Sequence, residues 1–146
     1  MRPTLMLCLA LSFTACARGG ERAGEQAAAT LNLADVAGAW TVQTMAEGSD
    51  SVVITYALNA TATTDGWNFV LPGRDPVPIH VILGGDSVVT HAGPFESALR
   101  PGLQVTTENV ARLVNGQLEG WSTARYRGAA GADSVVRLRL RGTRTP

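Results

Sequence analysis

The sequence contains no lysine and only two cysteines in 146 residues. All 12 basic residues are therefore arginine, and 12 acidic residues balance them to a formal net charge of zero. This balance gives no indication of nucleic-acid binding. Cys8 and Cys16 both lie near the N-terminus, so the rest of the chain has no disulfide, no thiolate metal site and no cysteine nucleophile.

Motifs of the common enzyme classes are also missing from the sequence. It has no Gly-x-Ser-x-Gly, no His-Glu-x-x-His and no glycine-rich phosphate loop. Its two histidines, His80 and His91, lie in neighbouring predicted strands, near Asp75 and Glu96, without a spacing that is diagnostic of a metal site. We therefore expect a non-catalytic protein with no metal and no cofactor, and a small hydrolase ranks third among the functions considered.

Long hydrophobic runs are absent apart from one near the N-terminus. Residues 5–13 are almost entirely apolar, follow Arg2 and precede several small residues. This run is too short for a stable membrane span and has the layout of a secretory signal peptide. We expect residues 1–15 to be that signal peptide.

The end of this segment, Phe13-Thr14-Ala15-Cys16, resembles the lipobox of bacterial lipoproteins. The resemblance implies cleavage before Cys16, a lipid anchor on its sulfur and a location in the cell envelope. In an envelope with two membranes, Ala17 in place of aspartate implies the outer membrane or its periplasmic face. The alternative is cleavage after Ala17 at an A-x-A pattern, which releases a soluble secreted protein.

Residues 16–34 are predicted to be a flexible spacer. Positions 17–30 hold mainly Gly, Ala, Glu and Arg, with no large apolar side chain. Such a segment buries too little surface to offset its ordering entropy. Residues 31–36 form a single helical turn or an irregular lead-in, with Asp35 as the candidate cap, and the folded domain is predicted to cover residues 35–146.

Period-2 alternation of apolar residues dominates the chain after residue 38. It is clearest at Val52, Ile54, Tyr56 and Leu58. Eight strands are predicted, at residues 40–45, 51–62, 67–71, 77–83, 87–91, 103–114, 117–126 and 134–141. Short connections between them predict an all-β fold, an antiparallel up-and-down eight-stranded barrel, in which closure removes exposed edges. A β-sandwich is the alternative, because periodicity does not report closure.

The first strand opens with Gly38-Ala39-Trp40, which matches the Gly-x-Trp of lipocalins and related calycin barrels. The resemblance covers residues 35–146 and implies a small lipocalin-like barrel. It also implies that a basic residue of the last strand, Arg141 or Arg144, packs across the tryptophan. We take Gly38, Trp40 and Arg141 as the structural residues of this motif.

Loop lengths predict which end of the barrel is open. The connections at residues 64–66, 84–86 and 115–116 are tight, and those at 72–76, 92–102 and 128–133 are longer. In a meander these two sets lie at opposite ends, so a ligand-binding mouth is expected beside the longer loops, with Trp40 at the closed end. The predicted lining residues are Ile54, Tyr56, Phe69, Ile79, Val105, Tyr126 and Leu138.

These residues predict a cavity for a small apolar or amphipathic ligand. In a small barrel the same side chains can instead fill the interior completely. The alternative function is that of an envelope structural or interaction protein that uses an outer face bearing Arg125, Arg127, Arg137 and Arg139. That face could bind anionic headgroups, phosphates or an acidic partner, or it could simply be solvated.

The lipobox resemblance generates the first testable prediction. In the native bacterial host, Cys16→Ser should move the protein from the membrane fraction to the soluble fraction, because no thiol remains to carry the lipid. Cys8→Ser is the matched control and should stay in the membrane fraction. A wild-type protein that is already soluble would favour cleavage after Ala17.

Overall fold

The computed structural model describes residues 30–128 and 134–146. The predicted signal peptide, Cys16 and most of the predicted spacer lie outside these ranges. Within them, no helix is both long and apolar enough to cross a membrane.

Eight strands follow the alternation seen in the sequence, because alternate side chains face the two sides of a strand. Their bounds are β1 Gly38–Ala46, β2 Val52–Ala60, β3 Asn68–Val70, β4 Val77–Gly84, β5 Ser87–Glu96, β6 Gln104–Val114, β7 Gln117–Arg127 and β8 Ser134–Arg144. Each strand pairs antiparallel with the next, and β1 also pairs with β8. The sheet is thus a closed up-and-down barrel, which confirms the predicted fold and rules out the sandwich.

The fifth strand is longer than its sequence predicts. Proline removes a backbone donor, so Pro94 argues against a continuous strand beyond His91. In the structure β5 continues to Glu96 through an irregularity between Ala92 and Phe95. Gly93 permits this with a φ of 103°, and an added Cβ would lie 2.6 Å from the Val105 carbonyl oxygen. The predicted loop at 92–102 is therefore wrong over its first half.

One short helix, α1 (Leu33–Val36), precedes the barrel. Asn32 is its N-cap, and the Asn32 side chain accepts a hydrogen bond from Ala34 N at 3.0 Å. The predicted cap, Asp35, lies inside the helix. Asn32 precedes the first helical residue and has an extended backbone, which is the position from which a side chain caps a helix.

The helix covers the closed end of the barrel. Leu33 and Val36 are 6% and 0% exposed and belong to the main hydrophobic core. Leu31 packs against that core, and its N–H donates to the Gly85 carbonyl at 3.0 Å. The folded domain therefore includes residues 31–34, which the sequence analysis placed in the spacer.

Trp40 is fully buried beneath this helix. Its indole Nε1 donates to the Val36 carbonyl at 2.7 Å, which satisfies the ring's only donor. The Arg144 guanidinium lies over the indole, 4.4 Å from the ring centroid. Arg144 also donates to the carbonyls of Ala37, at 2.8 Å, and Asp35. One arginine thus ties the last strand, the helix and Trp40 together.

Arg144, rather than Arg141, is the residue that packs across the tryptophan. Arg141 is exposed on the outer face of β8, with Gln43 and Glu119 as its strand partners. Alternation explains the correction, since Leu140 and Arg144 share the inward side of the strand and Arg141 is on the other side.

The closed end yields a matched pair of substitutions. Arg144→Ala should lower the free energy of unfolding by about 1–2 kcal/mol, because it removes a cation–π contact and charged hydrogen bonds. Arg141→Ala should change it by less than about 0.5 kcal/mol, as exposed positions usually do. Urea denaturation monitored by circular dichroism measures both, and equal losses would contradict the assignment.

Candidate functional site

A cavity of about 70 Å³ lies inside the barrel on the side of the longer loops. Six of the seven predicted lining residues contribute to it, and they come from five different strands. These six are Ile54, Tyr56, Phe69, Val105, Tyr126 and Leu138. We call this space the mouth cavity.

Ile79 is the predicted residue that does not line the mouth cavity. It lines a deeper void of about 30 Å³ nearer the closed end. The Ile79 N–H donates to the Trp67 carbonyl at 3.0 Å, which holds this part of β4 toward the closed end of the barrel. Leu71 and Phe95, which the sequence analysis did not select, line the mouth cavity.

Three aromatic rings form one wall of the mouth cavity. The Tyr56 and Phe69 centroids are 5.5 Å apart, and Phe69 meets Phe95 edge-on at 5.3 Å. Burial raises the pKa of the Tyr56 phenol above its ordinary value. The phenol therefore stays neutral across the physiological pH range, and the wall is uncharged and, apart from that hydroxyl, apolar.

The connection between β5 and β6 folds over the mouth. Ser97 is 2% exposed, and its hydroxyl accepts hydrogen bonds from Leu99 N at 3.1 Å and Arg100 N at 3.0 Å. This turn places Ala98 and Leu99 at the cavity, and Leu99 remains 40% exposed. These two residues were not predicted, because the conformation of a loop leaves no periodic signal in the sequence.

Two arginines brace the rim of the mouth. Arg74 donates to the Glu96 carbonyl at 2.6 Å and to the Ser97 carbonyl at 3.4 Å, which joins the β3–β4 and β5–β6 connections. Arg100 lies 4.3 Å from the Tyr126 ring centroid and donates to the Ser134 hydroxyl at 2.8 Å. Both guanidinium groups are thus held by the protein at the rim.

Polar side chains form the floor of the mouth cavity, which we define as Thr44, Asn109 and Ser122. Asn109, Tyr56 and Phe69 also line the deeper void, so these three side chains separate the two spaces. Asn109 Nδ2 donates to the Thr90 hydroxyl at 3.0 Å. Thr44 Oγ1 and Asn109 Oδ1 are buried and bond to no residue that the structure describes.

The polar floor was not predicted, although its signal was present in the sequence. On β1, Thr44 lies an even number of residues from Trp40 and Val42 and therefore faces the inside of the barrel, as they do. On β6, Asn109 lies an even number of residues from Val105 and faces inward for the same reason. A polar residue at an inward position is the informative observation in a barrel. The predicted lining residues were all apolar or aromatic, so neither Thr44 nor Asn109 was among them.

His80 and His91 are direct strand partners, and Glu108 is the next partner in the same row. His91 Nδ1 lies 3.7 Å from Glu108 Oε2, and both side chains are more than a third exposed. Among the described residues, no group of three or more His, Cys, Asp or Glu is arranged to hold a metal ion.

The four arginines of the predicted outer face differ in the contacts they make. Arg139 donates to Asp50 Oδ1 at 2.6 Å and to the Ser49 carbonyl at 2.8 Å. Arg137 stacks on Trp121, 4.4 Å from the ring centroid. Arg125 and Arg127 are exposed on the neighbouring strand β7.

Comparison with protein-family models, with curated proteins and with solved structures found no match.

The unpaired floor generates a prediction about stability. Thr44→Val should raise the free energy of unfolding by about 1 kcal/mol, because it replaces a buried, unpaired hydroxyl with a methyl group of similar size. Thr55→Val, on the exposed face of the neighbouring strand, should change it little. Thermal and urea unfolding measure both variants. A large loss of stability in Thr44→Val would contradict an unpaired hydroxyl.

Proposed function

We propose that this protein is a non-catalytic carrier or sensor that binds a small apolar or amphipathic molecule in the mouth cavity. The observation that carries the proposal is the contrast between the two ends of one barrel. Trp40 and α1 fill the closed end, and the opposite end retains a cavity with an aromatic wall. Binding sites in small barrels have this concave, mostly apolar form.

The size of the cavity limits what it can enclose. A cavity of about 150 Å³ holds benzene, and the mouth cavity measures about 70 Å³. The enclosed part of a ligand is therefore smaller than a benzene ring. A longer molecule would insert one end and leave the remainder between Leu99 and the aromatic wall.

The resemblance to lipocalins supports the same function. The Gly-x-Trp at residues 38–40 opens the first strand, and Arg144 packs over that tryptophan from the last. Lipocalin barrels of this arrangement bind small ligands in their interior. The closed eight-stranded barrel agrees with that form.

We further propose that the protein is exported and anchored to the cell envelope through Cys16. The lipobox-like Phe13-Thr14-Ala15-Cys16 and the apolar run before it support the proposal. The chain joins the barrel at its closed end, where Leu31 bonds to Gly85. An anchor on that side would leave the mouth at the end away from the membrane.

The alternative function, in which the outer arginine face binds an anionic partner, has less support. Arg139 is paired with Asp50 and Arg137 stacks on Trp121. Recruiting these two guanidinium groups to a partner would cost the contacts they already make, and Arg125 and Arg127 are the other members of that face, both exposed.

Xenon provides a small apolar probe for the mouth cavity, since it binds dry apolar cavities in proteins. In wild-type protein under xenon pressure, the methyl NMR signals of Ile54 and Leu138 should shift and saturate. Ala124→Leu should weaken this response about tenfold or more, because the larger side chain occupies the cavity. Circular dichroism confirms that the variant is folded.

Thr123→Leu is the matched control for this experiment. It adds a leucine at the neighbouring position of β7, which faces the outside of the barrel. Its xenon response should equal that of the wild type. No shift of the Ile54 and Leu138 methyl groups in the wild type would show that the interior is filled, and would overturn the proposed function.

A further inference from the structure

The floor of the mouth cavity contains polar atoms that the protein itself leaves unpaired. Thr44 is 2% exposed, and its Oγ1 has no partner among the described residues; the same is true of Asn109 Oδ1. Buried polar groups are nearly always hydrogen-bonded, and an unsatisfied one costs stability. Both atoms belong to residues that line the mouth cavity.

The hydrogen bonds of Asn109 determine which kind of group it can receive. Its Nδ2 already donates to the Thr90 hydroxyl at 3.0 Å. The free atom is the carbonyl oxygen Oδ1, which accepts and cannot donate. The hydroxyl of Thr44 can either donate or accept. A ligand group that bonds to Asn109 must therefore be a hydrogen-bond donor.

Electrostatics restricts that donor to a neutral group. Among the described residues that line the mouth cavity, none carries a formal charge at neutral pH. Arg74 and Arg100 are engaged at the rim, by backbone carbonyls, by Ser134 and by Tyr126. Burying an unpaired carboxylate or ammonium group is prohibitive. The floor therefore disfavours both.

The distribution of apolar surface determines the orientation of the ligand. Asn109 borders the deeper void as well as the mouth cavity, whereas Phe95 and Leu99 border the mouth cavity and not the deeper void, so they lie toward the mouth. A molecule with a polar group at one end pairs that group only when the polar end enters first. Its apolar part then contacts the wall and the rim.

We propose that the mouth cavity binds neutral, hydroxyl-bearing amphipathic molecules, with the hydroxyl inserted first and donating to Asn109 Oδ1. The inference rests on the proposed ligand-binding function and narrows it to an alcohol-type ligand. It excludes fatty-acid carboxylates, which carry a charge and have no proton to donate at neutral pH. It also gives a role to two polar side chains that weaken the core in the absence of an occupant.

Two constitutional isomers test the donor directly. 1-Butanol and methyl propyl ether have the same atoms and nearly the same size, but the ether has no hydrogen-bond donor. In NMR titrations of the wild-type protein, 1-butanol should bind about five- to tenfold more tightly, the ratio expected for one additional hydrogen bond. It should also shift the side-chain amide signals of Asn109. Butanoate at pH 7 should bind more weakly than either isomer.

Asn109→Leu locates the effect, because leucine keeps the branched shape of asparagine and has no hydrogen-bond acceptor. In this variant the ratio between the isomers should fall to about one. Thr106→Val, on the outer face of the same strand, is the matched control and should keep the wild-type ratio. Should Asn109→Leu fail to fold, the isomer comparison in the wild type decides alone.

The outcomes separate this inference from the proposed function. Equal affinity for the two isomers, or tighter binding of butanoate, would overturn the hydroxyl donor. With xenon still bound, either result would leave the ligand-binding function standing. Binding of none of the three probes together with binding of xenon would show that water alone pairs the floor. Failure of xenon and of all three probes would overturn both proposals.

Discussion

Hydrogen bonding between β1 and β8 converts a meander with two free edges into a barrel with a distinct inside. Once the strands close, every second side chain points into one shared interior, and the interior must be filled, left partly open or made polar. At the end where the first and last strands meet, Trp40 fills it. Arg144 packs on the face of the indole ring and donates to the Ala37 carbonyl at the end of α1. The indole N–H donates to the Val36 carbonyl of α1.

Filling one end allows the other end to depart from close packing. The closed half contributes the largest buried cluster, in which Trp40, Trp67 and Leu118 are almost fully buried. The mouth half retains a cavity and two unpaired polar atoms, which are features that cost stability. Natural proteins retain such costs chiefly where a site requires them, which supports the proposed binding of a ligand at this end.

Residues of the candidate site could be predicted where their position follows from a local sequence pattern, and could not where it depends on other parts of the chain. Alternation along each strand was enough to predict that Tyr56, Phe69 and Tyr126 line the cavity, because alternation is a local pattern. It failed at Ile79, whose height in the barrel depends on the stagger of β4 against β3. Leu99 enters the cavity from a loop, which has no period. Alternation along β6 also predicts that Asn109 faces inward, but its polar side chain does not fit an apolar lining.

The sequence by itself determined the strands, their order and the end at which the longer loops gather, because these follow from side-chain periodicity and turn chemistry over a few residues. Tertiary structure decided closure, the continuation of β5 through Pro94, the choice of Arg144 over Arg141 and the partial opening of the interior. Each of these depends on the relative height and twist of strands that are distant in the chain. Such long-range geometry arises from packing and leaves no pattern in any single segment.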